Sequence, residues 1–435
     1  MEFKKFGVTM AKSKIILFFF IIFFKFNFVS VNAYEIKDLI KILEDKNQNN
    51  SVFYYNKLIN ELNIKNSFSS FYPTIQYSNK IAGTRTEAGS NSNVNAMTHN
   101  LSIDFNLYDG NYKDFNLKEV ENKNYADNYL LEYNKQILIK ELILGYYNLR
   151  ALNKSKKLSE KTINFYENKL EEAEILFEAG RISKIELLDL KNEKLISKTN
   201  LLDIELEIEN LMLDISKLLD KDIAFEEISV EYEILIPDNL ISKKNLNSLM
   251  NSGYGKYLSF MEKSYLPEKD KAKKDLLPSV DLGFDYSNTN KYSSTIGSRT
   301  SASMHLTVTI PIFNGYKKEN DFDIKKYEYE KKVLDHKDLV KDFFVSYKEN
   351  YNNYLYIKEK INSQKNIINS FKMKYEASEI LFKANRININ DLTEAKNKLD
   401  ESINVLSQLE IDLKNTELNN IIYNGDLEKI INGLG

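Results

Sequence analysis

The sequence ILFEAGRISKIELLDLKN occupies residues 175–192 and returns 205 residues later as ILFKANRININDLTEAKN, residues 380–397. The two copies align without a gap, and a fixed shift of this kind indicates a duplicated structural unit. Each copy predicts a helix, a turn and a second helix. Gly180 or Asn385 lies at the turn, and both residue types tolerate a left-handed backbone. The sequence therefore predicts two helical hairpins of one design.

A β-hairpin is predicted ahead of each helical hairpin, under the same shift. Apolar and polar residues alternate over residues 75–81 and 101–107, and the polar tract 82–98 between them predicts a long loop. Strands of roughly 9–11 residues with one apolar face are typical of outer-membrane barrels, although an ordinary hairpin packed on helices has the same pattern. The residues expected to face lipid are Ile75, Tyr77, Leu101, Ile103, Phe105, Leu107, Val280, Leu282, Phe284, Leu306, Val308, Ile310 and Ile312.

Long helices are predicted between the hairpins and the turns. Residues 111–177 contain no proline, and apolar residues recur every seven positions from Leu130 to Phe165 and again from Val333 to Phe382. A sustained seven-residue repeat keeps an apolar seam against a neighbouring helix. A helix of about 67 residues is about 100 Å long, which exceeds the size of a compact domain.

The N-terminal region predicts an export signal. Four lysines precede an apolar run at residues 15–24 that is too short to cross a bilayer as a helix, and small residues end at Ala33. We expect cleavage after Ala33, whether translation starts at Met1 or Met10, with a retained anchor helix as the alternative. The expected organisation is a signal peptide (1–33), a first repeat (34–220), a linker (221–237) and a second repeat (238–435).

Composition argues against several classes of function. The chain has no Cys, which excludes disulfides and thiol-linked lipid, and a net charge of −3, which is not a nucleic-acid footprint. His99, His305 and His336 lie at no metal-ligand spacing, and no phosphate-binding loop or nucleophile motif is present. We therefore expect a protein that is not an enzyme and has no cofactor or metal.

The motifs LSIDFNLYDG and FEAGRISKIELLDL, with their second copies LTVTIPIFNGY and FKANRININDLTEA, resemble the TolC-like outer membrane efflux proteins. The resemblance covers essentially residues 34–435. It implies a fold that is mainly α with β, built as a homotrimer. Four strands per chain would close a 12-stranded transmembrane β-barrel in the outer membrane, continued by a long periplasmic α-helical barrel. Such closure would remove the strand edges that lipid does not tolerate.

The resemblance also implies a function. It predicts a passive exit channel, gated at its periplasmic helical tip, that works with a periplasmic adaptor (membrane fusion) protein and an inner-membrane transporter. The cargo stays open between small molecules and proteins, as in type I secretion. The alternative is a periplasmic coiled-coil adaptor or structural protein without a membrane barrel.

The same resemblance assigns candidate site residues at the tip. Family members have a ring of acidic residues after the second turn, and the matching positions here are Asp391 and Glu394, with Glu186 and Asp189 in the first copy. Complementing the helix dipole is the alternative role for these acids. The expected adaptor-docking turns contain Gly180, Arg181, Asn385 and Arg386, and Asn385 departs from the glycine usual in the family.

Overall fold

The computed structural model describes residues 33–45, 48–86, 92–291 and 299–432. The expected signal peptide, residues 1–33, lies outside this part of the chain apart from Ala33. Among the helices of the described residues, none combines the length and the apolar character needed to cross a bilayer.

The first half contains two helices, a β-hairpin and a pair of long helices. In chain order these are α1 (Ile36–Asp45), α2 (Gln48–Ser69), β1 (Thr74–Thr86), β2 (Ser92–Tyr108), α3 (Tyr112–Glu178) and α4 (Lys184–Leu219). Pro73 separates α2 from β1, because proline lacks the N–H that a continuing helix needs.

The second half has the same order of long elements. It contains α5 (Leu246–Leu249), α6 (Gly253–Asp270), a 3-10 helix (Lys271–Leu276), β3 (Ser279–Lys291), β4 (Arg299–Thr309), α7 (Lys317–Lys383), α8 (Ile389–Asn424) and α9 (Leu427–Asn432). Helices α3 and α7 both have 67 residues, and α4 and α8 both have 36. In both pairs, the second helix begins 205 residues after the first.

The four strands form one antiparallel sheet in the order β1-β2-β3-β4, so that the two halves meet at the β2–β3 pair. The register aligns one apolar row across all four strands, which consists of Ile75, Ile103, Phe284 and Met304. Because side chains alternate between faces, the adjacent row lies on the opposite face and is polar, and it consists of Gln76, Ser102, Asp285 and Ser303. The sheet therefore has one apolar face and one polar face.

Two expectations for the hairpins are wrong. The tract 82–98 is not a long loop, because pairing continues to Thr86 and Ser92; backbone hydrogen bonds form whether side chains are polar or apolar. Ile310 and Ile312 lie beyond β4, which ends two residues before Pro311, a residue without an N–H for the ladder.

Leu107, which was expected to face lipid, lies at a bulge of β2. The register shifts between Asn106 and Tyr108, so Tyr108 rather than Leu107 is the partner of Val280. A bulge places two residues opposite one and changes the alternation beyond it, which no count of residues in a single strand reveals.

The main core lies where the two halves are joined. Residues of α1, α3, α4, α8 and α9 are buried there with Ile223, Ile228 and Ile234 of the segment 221–237. The buried Tyr146 hydroxyl lies 2.8 Å from the Ser229 carbonyl oxygen, to which it donates. The segment expected to be a linker does connect the halves, and it is also packed into the core.

Candidate functional site: the helical tips and the sheet

The two tip turns have the same backbone geometry. Gly180 and Asn385 have φ angles of 69° and 55°, in the left-handed region. In the first turn, the N–H groups of Gly180 and Arg181 donate to the carbonyl oxygens of Phe177 and Leu176, at 2.9 and 2.8 Å. These two bonds are the Schellman arrangement that ends many helices.

The second turn repeats this arrangement with a different residue type. Asn385 and Arg386 donate to the carbonyl oxygens of Phe382 and Leu381, both at 2.9 Å. The expectation that Asn385 preserves the turn is confirmed, because asparagine is among the few residues that adopt this backbone routinely. Gly180, Arg181, Asn385 and Arg386 are all exposed, and neither arginine forms an ion pair with a described residue.

Two of the four candidate acidic residues cap the helices that follow the turns. Ser183 N donates to Glu186 Oε2 at 2.7 Å, and Glu186 N donates to Ser183 Oγ at 3.2 Å. Asn388 and Asp391 form the same reciprocal pair at 3.3 and 2.8 Å. These are capping boxes, so the Glu186 and Asp391 carboxylates satisfy N–H groups at the starts of α4 and α8.

The other two acidic residues have different partners. Glu394 forms an ion pair with Lys398 one turn along α8, and this hydrogen-bonded lysine lowers the pKa of Glu394. Asp189 Oδ2 accepts from Asn390 Nδ2 at 3.3 Å, which connects the second turn of α4 to the first turn of α8. Asp189 is thus the candidate acid that joins the two helical hairpins.

A small apolar cluster supports the tips. Its buried members come from α3, α4 and α8 and are Tyr166, Ala173, Leu187, Leu190, Ile389 and Leu392. Leu187 and Leu392 are matched positions of the two copies, so the duplicated motif supplies both sides of this cluster.

A polar network next to this cluster was not found by sequence reasoning. The Thr162 hydroxyl donates to Asp400 Oδ2 at 2.6 Å and accepts from Lys396 Nζ at 3.0 Å, and Lys396 also pairs with Asp400. Thr162 and Lys396 are each only 9% exposed. The spacing of Lys396 and Asp400 on one helix face was a possible signal, but their contact with α3 depends on the tertiary structure.

The network continues toward the tip through Tyr166. Its hydroxyl lies 2.7 Å from Asn397 Oδ1 and 3.2 Å from Glu193 Oε2, and burial raises the pKa of Tyr166. A neutral tyrosine hydroxyl donates one hydrogen, and Asn397 Nδ2 separately donates to Glu193 at 3.2 Å. Polar contacts thus connect α3, α4 and α8 along several turns below the tips.

The polar face of the sheet contains carboxylates and one histidine. Asp104, Asp281 and Asp285 lie on β2 and β3, and His305 Nδ1 is 3.5 Å from Asp285 Oδ2. Gly283 is opposite His305, and a Cβ at this position would lie 2.4 Å from the imidazole ring. Glycine here gives the histidine ring room to lie against the sheet.

The sheet places most of the residues expected to face lipid in consistent rows. Tyr77, Leu101 and Tyr286 form one row, and Phe105, Leu282 and Leu306 form another. Several members of this face are strongly exposed in the single protomer, including Ile75 at 64% and Met304 at 74%. Among the described residues, no group of three or more His, Cys, Asp or Glu side chains has the arrangement of a metal site.

Residues 267–419 match the model of the family described as outer membrane efflux protein. No curated protein matches the sequence. The fold is similar to that of the Campylobacter jejuni CmeC outer membrane channel, with a TM-score of 0.77 and 12% identity over 91% of this chain and 87% of that one.

Two further outer membrane proteins have a similar fold. The Vibrio cholerae outer membrane protein VceC has a TM-score of 0.76 and 10% identity over 90% of this chain and 96% of that one. The open state of the Neisseria gonorrhoeae MtrE outer membrane channel has a TM-score of 0.71 and 12% identity over 90% of this chain and 88% of that one. The family match over residues 267–419 and the fold shared over about nine-tenths of the chain agree with the resemblance to the TolC-like outer membrane efflux proteins.

Proposed function

We propose that three copies of this chain form a passive exit channel through the outer membrane. In this channel, twelve strands close one β-barrel, and the long helices of three copies form a hollow periplasmic barrel. The observation that carries the proposal is the isolated four-stranded sheet, whose edge strands β1 and β4 have no partner strand in the described residues. Lipid does not tolerate open strand edges, so a membrane sheet of this size must close with other copies.

The helices support the same assembly. Tyr347, Tyr354 and Ile361 recur at seven-residue spacing on α7 and are buried within the protomer. On α4, Leu188, Leu195 and Leu202 recur at the same spacing but are 48–65% exposed. An apolar stripe with seven-residue spacing packs against another helix. In this proposal, the exposed stripe of α4 packs against a helix of a neighbouring copy.

In this proposal, the channel opens and closes at the helical tips. Threefold symmetry would bring copies of Asp391 and Glu394 together as a ring that attracts cations, with Glu186 and Asp189 beside it. The bond from Asn390 to Asp189 and the network around Lys396 support a closed arrangement in which the two hairpins of a protomer are joined. Opening then requires these contacts to break.

The channel needs partners that provide energy and select cargo. The sequence contains no phosphate-binding loop, so we assign energy coupling to an inner-membrane transporter and docking to a periplasmic adaptor. The adaptor would contact the exposed turn residues, Gly180 and Arg181 in one hairpin and Asn385 and Arg386 in the other. The cargo is small molecules or proteins, according to the transporter.

A pair of neighbouring substitutions tests the membrane assignment. Met304 lies in the apolar row and Ser303 in the polar row of the same strand. Met304→Lys places a charge on the lipid face, where it costs about 2–4 kcal/mol at the bilayer centre, whereas Ser303→Lys faces water. We expect Met304→Lys to reduce the heat-modifiable trimer in outer-membrane fractions strongly, and Ser303→Lys to leave it nearly unchanged.

The same experiment tests the alternative. A coiled-coil adaptor or structural protein without a barrel would be recovered as a soluble periplasmic protein, and both lysine variants would behave like the unmodified chain. That outcome would reject the channel.

A further inference from the structure

His336 on α7 is a buried histidine without a hydrogen-bond partner. It is 3% exposed, and neither Nδ1 nor Nε2 is hydrogen-bonded to a described residue. Buried polar groups are nearly always paired, so an exception of this kind requires an explanation. Because residues of the same protomer bury the ring, a second copy has almost no surface of it to contact.

The groups around His336 come from α6. The Tyr265 ring lies edge-on to the imidazole, with centroids 5.8 Å apart. Glu262 Oε2 is 3.8 Å from His336 Nε2, beyond hydrogen-bond distance. Glu262 is therefore the nearest acidic group, and it would have to move closer to form a hydrogen bond with a protonated imidazole.

The other charged groups nearby are already paired with each other. One turn before His336 on α7, Lys332 lies 2.5 Å from Glu268 Oε1 of α6. Lys123 of α3 is 3.8 Å from Glu268 Oε2, and Lys332 also lies 5.8 Å from the centre of the Tyr265 ring. Glu268 is thus balanced by two lysines, which leaves Glu262 as the acid that can respond to His336.

Helix α6 packs more extensively on α3 than on α7. Phe260 packs against Tyr125 and Tyr129 of α3, with ring centroids 5.2 and 5.7 Å apart, and Tyr254 packs against Tyr133 at 4.9 Å. The contact with α7 contains the Lys332–Glu268 pair, the His336 site and, further along, a small apolar cluster in which Tyr254 lies 5.1 Å from Phe343. A change at His336 therefore acts on the less extensive of the two contacts of α6.

We propose that His336 makes the contact between α6 and α7 sensitive to protons: protonation loosens α7 from α6, while α6 stays packed on α3. Helix α6 continues through the 3-10 helix (Lys271–Leu276) into β3. The loosened contact therefore lies where the sheet is connected to the long helices, far along α7 from the tip. This device is separate from the proposed tip gate.

The direction of the effect follows from burial. Burial lowers the pKa of His336, and the negative charge of Glu262 opposes that shift. Since the pKa in the folded protein is below that of an unfolded histidine, about 6.5, the unfolded or loosened state binds the proton more tightly. The contact between α6 and α7 is therefore complete above about pH 6.5. It weakens as the pH falls through the lower pKa that His336 has in the folded protein.

Distance measurements between spin labels test the proposal on the full-length protein. The chain has no cysteine, so introduced cysteines are the only labelling sites. One pair joins α6 to α7 (Lys263→Cys with Lys337→Cys), and a control pair joins α6 to α3 (Lys263→Cys with Lys118→Cys). Between pH 7.5 and pH 5 we expect the α6–α7 distance to lengthen and broaden, and the α6–α3 distance to stay constant.

Three variants assign the response to His336. His336→Gln should abolish the change, whereas His99→Asn with His305→Asn should keep it. Glu262→Gln should shift the midpoint to lower pH, because the acid that favours the protonated imidazole is gone, and a merely structural role for Glu262 would not move the midpoint. The proposal is overturned if the α6–α7 distance does not change with pH in the chain that retains His336. It is also overturned if His336→Gln shows the same change as that chain. Neither readout depends on conduction, so both remain informative if the channel proposal fails.

Discussion

Asn390 Nδ2 lies 3.3 Å from Asp189 Oδ2, so a hydrogen bond joins residues 201 positions apart in the chain. Asn390 lies in the first turn of α8 and Asp189 in the second turn of α4, and the bond joins one hairpin of the protomer to the other. It is a direct side-chain hydrogen bond near the starts of α4 and α8, beside the apolar cluster that these helices share.

Breaking this link should favour the open tip. Asp189→Ala and Asn390→Ala each remove one exposed, charge-assisted hydrogen bond, so we expect only a several-fold rise in open probability. Single-channel recording in planar bilayers measures it. Because both variants remove the same bond, the double variant should rise no further than either single variant, and additive effects would show that the bond is not the cause.

The acidic residues of the second tip should control cation block. Asp391→Asn with Glu394→Gln removes two charges per copy, and we expect divalent cations applied from the periplasmic side to block conductance less. The amide oxygen introduced by Asp391→Asn can still accept from Asn388 N, so the cap and the fold should persist. Lys398→Met is the matched control, because it frees the Glu394 carboxylate and should strengthen the block. Unchanged block in both variants would exclude these residues from the ring.

The left-handed turn residue should set the local stability of the second tip. Asn385 has a φ of 55°, and alanine at this backbone costs roughly 1–2 kcal/mol, whereas glycine adopts it freely. Hydrogen exchange of residues 380–392 should therefore be faster in Asn385→Ala and no faster in Asn385→Gly. Binding of an adaptor to Asn385→Gly would show whether the asparagine side chain itself contributes to docking.

The polar network of Thr162, Lys396 and Asp400 below the tips should contribute strongly to the stability of the folded protein. Asp400→Ala leaves the Lys396 ammonium buried with Thr162 as its remaining hydrogen-bond partner, and loss of one member of a buried ion pair costs about 3–5 kcal/mol. Thr162→Val removes a neutral hydroxyl and should cost about 1 kcal/mol. Replacing both charges, Lys396→Met with Asp400→Leu, should restore much of the stability in thermal unfolding. A double variant less stable than Asp400→Ala would contradict this account.

Much of the architecture could be predicted because it is encoded locally. Gly180 and Asn385 identified the turns, the 205-residue shift related the two halves, and alternation along the strands identified the apolar face of the sheet. Each of these signals depends on the backbone preferences of one residue or on a spacing within one element.

Other features depended on contacts between distant residues. The bulge at Leu107 makes Tyr108 the partner of Val280, and such a shift in register is a property of two paired strands. The burial of Ile223 and Ile234 required α1, α3 and α8 to surround a segment without periodicity. The sequence likewise could not show whether Asp391 was a free charge or half of a capping box, since charge and cap use the same residue type at the same place.

By itself, the sequence determined the duplicated plan of the protein: paired strands with one apolar face, long helices with a seven-residue seam, and left-handed turns far from the strands. Only the tertiary structure decided which polar groups meet, because Thr162 with Lys396, Asp189 with Asn390, and His336 with Glu262 come from separate elements. The physical reason is that periodicity specifies which face of an element is buried, whereas the partner of each buried group depends on how the packed elements are aligned along one another.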